Sequence, residues 1–356
     1  MTQTSKINNG RFFEDFVLDE TILHASPRTI TQGDCAMYIA LTGERNPLHC
    51  SEPFAQSLEY KSTPVDDLLA FHIAFGKTVP DISVNAIANL GYADIRFIQP
   101  LFVGDTISTS SQVIGLKQNS NGKSGVVWVR STATNQNNSP VISWVRWVMV
   151  HKNDSSSKTP ETVIPELPDH VAANQLHIPD YVETHDEICS VTGGQHLWDD
   201  YIVGERLNHA AGMTINDSDH SLATRLYQNN ARLHFDAHLM QSTPMGKRLV
   251  YGGVVISACR ALSYEGLENA LTILAINGGS HANPTFAGDT IYTMTEVLDK
   301  WALPNRDDIG AIRLRMVGIK NMPASELETV KSNQAYHQNV VLDLDYTVAM
   351  PRKGND

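Results

Sequence analysis

A nine-residue stretch occurs twice in this chain, and the duplication constrains the fold more than any other feature of the sequence. The first copy, LTGERNPLH, runs from Leu41 to His49, and the second, LYQNNARLH, runs from Leu226 to His234. The second copy follows the first at a constant distance of 185 positions. Only two copies are found, which argues against a solenoid or a propeller and favours one duplicated domain.

The register of the repeat extends well beyond the motif. With the same offset and no gap, seven residues between positions 15 and 34 recur between positions 200 and 219. Further along, PLFVGDTI at 100–107 matches PTFAGDTI at 284–291 with an offset of 184, which one deletion in a loop explains. The chain therefore consists of two copies of one ancestral unit.

A linker separates the two copies. Serines at 155–157 are followed by prolines at 160, 165 and 168, a composition typical of linkers. The segment is longer than an ordinary loop, so we expect part of it to pack along the surface. The predicted division is an N-terminal domain over 1–152, a linker over 153–195 and a C-terminal domain over 196–356.

Composition and charge exclude several classes of function. The 356 residues are enough for two domains, each with its own core. The net charge of −12 argues against nucleic acid as a partner and against an anionic membrane, since both favour a basic surface. The N-terminus lacks the apolar core of a signal peptide, and no apolar run is long enough to span a membrane.

The cysteines indicate neither a metal site nor a redox centre. The chain contains 4 cysteines, and none of them forms a Cys-x-x-Cys pair. We therefore expect reduced thiols and a cytoplasmic location. Cys50 directly follows His49, and we interpret it as a small buried residue rather than as a nucleophile.

The first half reads as short helices, one apolar helix and then a series of strands. An aromatic-rich stretch over 12–20 predicts a strand, and capping residues before 36–41 predict a short helix that Gly43 ends. A helix over 68–77 is apolar nearly all round, which indicates a buried central helix. Alternating apolar residues predict the strands that follow, at 86–97, 106–116, 125–134 and 141–150.

The second half repeats this order. A central helix is predicted from Tyr251-Gly252-Gly253 onward, and a polar stretch over 321–337 predicts a loop. Strands are predicted at 271–279, 290–299, 311–319 and 339–349. The order of elements is that of an α+β tandem hotdog fold, in which each half wraps an antiparallel sheet around a central helix.

The first motif carries a resemblance to a known enzyme family. Its residues 43–49, GERNPLH, resemble the signature Gly-Asp-x-Asn-Pro-x-His of the MaoC-like enoyl-CoA hydratases, which are hotdog proteins. The turn at Gly104-Asp105-Thr106 and its twin in the second half also resemble that family. The resemblance implies a hydratase in a duplicated hotdog frame.

A closer resemblance is to the mesaconyl-CoA hydratases, also called β-methylmalyl-CoA dehydratases. It rests on the stretches 71–83, 143–150 and 225–229 and extends from about Asn9 to Arg352. It implies a double hotdog that reversibly adds water to mesaconyl-CoA. The substrate is then a CoA thioester, and neither a cofactor nor a metal is expected.

Hydration of an enoyl thioester sets three chemical requirements. A base takes a proton from water, an acid protonates the α-carbon, and hydrogen-bond donors hold the enolate oxygen. In MaoC-like hydratases the Asp and His of the signature handle water and protons, and a glycine amide at the start of the central helix faces the thioester oxygen. A helix N-terminus suits this task because its free N–H groups and its dipole favour negative charge.

The N-terminal half meets these requirements only in part. It has Glu44 where the signature has Asp, and it has Asn46 and His49. At the start of its central helix, however, Asp67 takes the place of the glycine. A carboxylate there is a poor neighbour for an oxyanion, so we keep Glu44, Asn46 and His49 as the alternative site.

The C-terminal half has the complementary set. His234 is present, and Gly252 and Gly253 stand at the helix start. Asn229 replaces the acid of the signature, and an amide can orient water but cannot act as a base. We expect catalysis here by His234, Asn229 and Gly253, because stabilisation of the oxyanion is usually the larger contribution.

Arginines near the second motif are candidates for binding the substrate carboxylate. Arg232 lies two residues before His234, and Arg225 lies one to two helical turns earlier. Either can pair with a carboxylate in a bidentate manner, and Gly252 completes the predicted substrate-binding set. For Arg225, a solvated surface position or an internal ion pair is an equal expectation. We expect Asp236 to cap the next helix rather than to orient His234.

Other functions are consistent with the same motifs. The alternatives are an (R)-specific enoyl-CoA hydratase for unbranched chains, a hotdog thioesterase and a non-catalytic acyl-CoA-binding double hotdog. Hotdog domains pair edge to edge, which buries their edge strands, and the fused halves can do so within one chain. A further homodimer is a separate prediction.

Overall fold

Each half of the chain folds as a group of helices followed by four long strands, and one or two further strands precede the helices. The computed structural model describes residues 6–185 and 187–354. The helices of the first half are α1 (Gln32–Thr42), α2 (Pro47–Cys50), α3 (Glu52–Ser57) and α4 (Asp67–Ile82). Its strands are β1 (Thr21–Thr29), β2 (Ala86–Phe97), β3 (Thr106–Gln118), β4 (Ser124–Thr134) and β5 (Pro140–His151).

The second half repeats the series after a short helix in the connecting segment. The helices are α5 (Ile188–Thr192), α6 (Asp217–Leu226), α7 (Arg232–Phe235), α8 (Ala237–Gln241) and α9 (Gly252–Leu262). The strands are β6 (Arg206–Asn208), β7 (Met213–Thr214), β8 (Ile273–His281), β9 (Thr290–Ala302), β10 (Ile309–Lys320), β11 (Lys331–Ser332), β12 (Ala335–Tyr336) and β13 (Val340–Pro351).

One antiparallel sheet joins the two halves. Its strand order is β1-β3-β4-β5-β2-β8-β13-β10-β9-β6, and β7 pairs with β9. The halves meet where β2 pairs with β8, with Tyr92 opposite Gly279 and Ala93 opposite Gly278. Because β2 and β8 are matching strands of the two copies, this seam hides one edge strand of each half within the chain.

The central helices lie in a core shared by both halves. Asp66 caps α4 by accepting hydrogen bonds from the amides of Leu68 and Leu69. The helix continues past the predicted end through Pro80, because burial of Val79 and Ile82 outweighs the intrahelical hydrogen bond that proline removes. Side chains of α4 and α9 belong to the same hydrophobic cluster.

Helix α4 crosses the second motif at very close range. A Cβ atom on Gly76 would lie 1.9 Å from the backbone oxygen of Tyr227. Since neither backbone can move away without disturbing its own helix, only glycine permits this crossing. The first half thereby supplies a wall for the segment that carries Asn229 and His234.

Helix α1 confirms the capping prediction. Thr31 accepts a hydrogen bond from the Asp34 amide at 3.2 Å, and the Asp34 carboxylate accepts one from the Thr31 amide at 2.8 Å. Gly43 ends the helix in the left-handed conformation, with φ of 68°. The motif segment therefore begins directly after a fixed helix end.

Three local predictions need correction. Residues 12–20 do not form a strand, because the Asp15 carboxylate caps a 3-10 turn at Phe13–Asp15 by accepting from the Phe12 amide at 2.8 Å. The predicted loop over 321–337 contains a 3-10 turn at Ala324–Glu326 and the β11–β12 hairpin. Cys50 is exposed rather than buried.

The connecting segment packs along the protein over much of its length. A β-bridge joins Val163 to Leu116, and a 3-10 turn lies at Ala173–Gln175. Four of its apolar side chains are buried: Val171, Ile178, Val182 and Ile188. The boundaries at 152 and 195 stay a prediction, since the segment is attached to both halves.

Candidate active site

The second motif presents a buried histidine with one free ring nitrogen. The Nδ1 of His234 lies 2.9 Å from the carbonyl oxygen of Leu249. A carbonyl can only accept, so Nδ1 carries the proton and Nε2 keeps its lone pair. Burial lowers the pKa of His234 to about 4, so the ring is neutral near pH 7. The residue is therefore prepared to accept a proton at Nε2.

Asn229 stands beside this histidine in a fixed backbone turn. Gln228 before it adopts a positive φ of 54°. The Asn229 Oδ1 accepts a hydrogen bond from the Ala231 amide at 3.2 Å. Its side chain is buried, and its second oxygen lone pair can hold a water molecule. Asp236 caps α8 by accepting from the Leu239 amide, as the sequence predicted.

The motif opens onto a cavity of about 340 Å³ that both halves line. The volume is in the range of small-molecule sites. The second half contributes the motif, the start of α9 and the end of β8, and the first half contributes α4, β2 and β5. The lining residues with polar side chains include Ser83, Asn89, Tyr92, Arg146, Asn229, His234, Tyr251 and His281.

The start of α9 places the backbone of a glycine at this cavity. The first N–H groups of an α-helix have no intrahelical acceptors, so those of Gly252 and Gly253 are available to an oxyanion. A Cβ on Gly252 would lie 2.3 Å from the ring of His281, and one on Gly253 would lie 2.7 Å from the ring of His72. Gly252 lines the cavity, whereas Gly253 packs behind it, so Gly252 is the better placed of the two.

A histidine and a tyrosine that sequence reasoning missed complete the polar wall. The hydroxyl of Tyr92 lies 3.0 Å from Nε2 of His281. Burial lowers the pKa of His281 to about 4 and raises the pKa of Tyr92, so both groups are neutral near pH 7. The pair thus adds hydrogen-bonding groups without adding charge.

The first motif has the same backbone arrangement. His49 donates from Nδ1 to the carbonyl oxygen of Pro64 at 3.2 Å, and Pro64 is the repeat counterpart of Leu249. Glu44 accepts from the Asn46 amide at 2.7 Å. The Asn46 side chain donates to the carbonyl oxygens of Ala270 and Leu271, so its role is to hold the motif in place.

The counterpart of the large cavity is almost closed in the first half. A cavity of only about 30 Å³ remains there. Its lining includes Leu48, Tyr60, Pro64 and Asp67, which are the repeat counterparts of Leu233, Met245, Leu249 and Gly252. The Asp67 carboxylate accepts from the Thr272 hydroxyl and the Ile273 amide, both at 2.7 Å. His177 and Pro179 of the connecting segment also line this space.

Glu44 and His49 line a different cavity of about 280 Å³. Asp66 shares this cavity, and burial raises its pKa to about 6. Several acidic groups around one cavity disfavour an enolate through like-charge repulsion. Cys50 also lies here, and although the residue is exposed as a whole, partial desolvation of its sulfur and the nearby Glu44 and Asp66 carboxylates raise its pKa to about 11, so the thiol is protonated near pH 7.

The arginines predicted to bind a carboxylate do not lie in the large cavity. Arg225 and Arg232 are exposed, and neither lines it. The cavity instead contains Arg146, whose side chain is 1% exposed. The sequence carried a signal for it, because position 146 falls on the apolar face of β5 with Trp144 and Val148.

Comparisons with known proteins decide the family. Residues 1–325 match the family model described as Mesaconyl-CoA hydratase. The chain belongs to the mesaconyl-CoA hydratase family. It is 53% identical over 351 residues to the β-methylmalyl-CoA dehydratase of Chloroflexus aurantiacus, which covers 99% of this chain and 100% of that relative. It is 50% identical over 347 residues to the mesaconyl-CoA hydratase of Cereibacter sphaeroides, which covers 98% of this chain and 100% of that relative.

Solved structures show that the family fold is retained. A structure from Chloroflexus aurantiacus, described as a MaoC domain protein dehydratase, superposes with a TM-score of 0.95 at 52% identity, covering 99% of this chain and 100% of the other. A double-hotdog protein from Mycobacterium tuberculosis gives 0.77 at 22% identity, covering 96% and 99%. The predictions of the family, of an α+β double hotdog and of a hydro-lyase are confirmed.

The described residues contain neither a candidate membrane span nor a candidate metal cluster. Among residues 6–185 and 187–354, no helix is both long and apolar enough to cross a membrane. In the same part of the chain, no group of three or more His, Cys, Asp or Glu side chains is arranged to hold a metal ion.

Proposed function

We propose that the chain catalyses the reversible hydration of mesaconyl-CoA to β-methylmalyl-CoA in the large cavity at the second motif. The observation that carries this proposal is that one cavity is lined both by His234, whose Nε2 is free, and by Gly252, the first residue of α9. Two relatives at 50% identity or more are named for the two directions of this reaction.

His234 acts first as the base and then as the acid. Its Nε2 takes a proton from a water molecule that Asn229 holds, and the water oxygen attacks the β-carbon of the enoyl thioester. The electron pair of the double bond moves toward the thioester oxygen. The imidazolium then returns its proton to the α-carbon, so the net change is addition of one water. A buried imidazolium with a low pKa is a strong acid, which suits protonation of carbon.

The glycine amides stabilise the charge that develops between these two proton transfers. The enolate oxygen receives hydrogen bonds at the positive end of the α9 dipole. Glycine is needed at position 252 because the His281 ring fills the place of a side chain, 2.3 Å from where a Cβ atom would lie. In the first half, the Asp67 carboxylate occupies the corresponding position, which supports the second half as the catalytic one.

Loss of the enoyl thioester absorbance tests the proposal with matched variants. We expect His234→Ala to lower kcat/KM for mesaconyl-CoA by on the order of 100-fold to 10,000-fold, the usual contribution of an acid–base group. His49→Ala is the control, because His49 makes the same bond to a backbone carbonyl. A large loss with His49→Ala alone would move the site to the first motif.

The same assay separates the alternative functions. Release of free CoA without hydration would indicate a thioesterase. Equal rates with crotonyl-CoA would indicate a hydratase for unbranched chains. Binding of both esters without turnover would indicate a non-catalytic acyl-CoA-binding protein. Two other sequence predictions, a cytoplasmic location and a homodimer, stay predictions.

A further inference from the structure

Arg146 is a buried cation in the wall of the large cavity. It is contributed by β5 of the first half, across the cavity from a motif that belongs to the second half. Its guanidinium group lies 4.3 Å from the centre of the Phe75 ring, and one terminal nitrogen donates to the Thr78 hydroxyl at 2.8 Å. These contacts hold the group in one orientation without neutralising its charge.

No acidic side chain compensates this charge within the part of the chain that the structure describes. The titratable side chains that interact with Arg146 are the hydroxyl groups of Tyr92 and Tyr251 and the ring of His24, and none of them is a carboxylate. Its Nε makes no hydrogen bond to any described residue. Burial lowers the pKa of Arg146 to about 10, so the group is still charged near pH 7. An unpaired buried charge is costly, and an anionic ligand in the cavity would offset that cost.

Two more polar groups of the first half have unused hydrogen-bonding capacity at the same cavity. The hydroxyl of Ser83 and the side-chain amide of Asn89 are buried and make no hydrogen bond of normal geometry to the described residues, although Asn89 lies close to the Tyr92 hydroxyl. Both line the cavity together with Arg146. Buried polar groups are normally satisfied in native proteins, so a cluster of unsatisfied ones indicates a polar ligand.

We propose that Arg146 binds the free carboxylate of the acyl group and so selects a dicarboxylic enoyl-CoA over a neutral one. This inference rests on the proposed function and names the residue that determines its substrate specificity. In mesaconyl-CoA the carboxylate is attached to the carbon that gains the hydroxyl group. The carboxylate must therefore lie close to the water that His234 activates, and Arg146 faces the same cavity.

A guanidinium group suits this task better than an ammonium group. Its planar N–H groups match the two oxygens of a carboxylate, and the Nε–H and the terminal N–H groups not bonded to Thr78 remain available. The exposed Arg225 and Arg232 are solvated and lie outside the cavity, so they offer less discrimination. The first half thus recognises the acyl group on which the second half acts.

The kinetic test compares two substrates that differ in the carboxylate. We expect Arg146→Met and Arg146→Lys to lower kcat/KM for mesaconyl-CoA by on the order of 100-fold or more, the usual cost of losing one partner of a buried charge pair. Turnover of crotonyl-CoA, which has the CoA phosphates but no carboxylate, should change less than 5-fold by the same reasoning. Equal losses for both esters in folded Arg146→Lys would overturn the proposal and would indicate a phosphate contact or a purely structural role.

Arg130→Gln is the matched control. Arg130 lies on the neighbouring strand β4 and pairs with Asp94 outside the cavity. Its removal tests the general effect of deleting one arginine from this sheet. We expect the ratio of the two kcat/KM values to stay at the wild-type level.

A binding measurement separates failure of this inference from failure of the proposed function. Succinyl-CoA and butyryl-CoA are saturated, so neither needs turnover, and they differ in the free carboxylate. Wild-type protein should be stabilised against heat more by succinyl-CoA, and Arg146→Met should lose that preference. No preference in the wild type would overturn the role of Arg146, even if hydration is observed. A preference without hydration would leave the carboxylate site standing and reject the reaction.

Discussion

At the scale of single residues, three buried histidines make the folded protein sensitive to acid. Burial lowers the pKa of His72 to about 3 and that of His234 and His281 to about 4. Each ring is therefore neutral in the folded protein at a pH where it would be protonated in the unfolded chain. The same burial keeps His234 available as a base well below neutral pH.

The stability consequence has a defined direction. Below the ordinary histidine pKa of 6.5 the unfolded chain binds more protons than the folded one, so the free energy of unfolding falls as the pH drops from about 6.5 to about 4. For His234 alone the loss amounts to roughly 3 kcal/mol. Urea unfolding at a series of pH values measures it. His234→Gln should flatten the curve, and an unchanged curve in that variant would contradict the assignment.

At the scale of elements, the crossing of α4 over the second motif determines the shape of the cavity. Gly76→Ala places a methyl group 1.9 Å from the backbone oxygen of Tyr227 in the present geometry. We expect the free energy of unfolding to fall by about 3 kcal/mol, at the upper end for overpacking, because the clash is with backbone. Hydration should also slow, since the motif is displaced.

Gly33→Ala is the control for this element-scale prediction. Gly33 lies in α1, and a Cβ there would be 3.5 Å from the Thr31 hydroxyl, which is ordinary contact. This variant should be neutral or more stable by up to about 1 kcal/mol, because alanine favours helix. Thermal unfolding of both variants checks the pair. Equal stability of the two would show that α4 can shift away from Tyr227.

The elements also show what sequence reasoning can and cannot reach. The central helices, the long strands and the capping at Thr31 and Gly43 follow from local patterns, which short stretches of sequence contain. The aromatic residues between Phe12 and Phe16 led to a wrong prediction of a strand. Burial in a capped turn and burial in a strand require the same residue types. Arg146 was missed because its cavity forms only when the two halves meet. Its distance in sequence from His234 hides that relation.

At the scale of the whole molecule, the two halves form one cooperative structure. They share a continuous sheet through the β2–β8 pair, and one hydrophobic cluster contains residues from both central helices. Separation of the halves would expose this seam to solvent and open the cavity that residues of both halves line. We therefore expect one unfolding transition by calorimetry, with equal calorimetric and van't Hoff enthalpies. Two resolved transitions would show that the halves are independent.

The cavity of the first half is almost closed, so the two halves of the molecule differ from each other, as two identical subunits cannot. In a symmetric pair every substitution appears in both subunits. One sequence must therefore supply both the acyl pocket of one site and the proton-transfer groups of the other. Here Asp67 and the connecting segment fill one of the two equivalent positions. The fused gene can therefore adjust its two halves separately. One half is free to diverge toward recognising new acyl groups while the other keeps its chemistry.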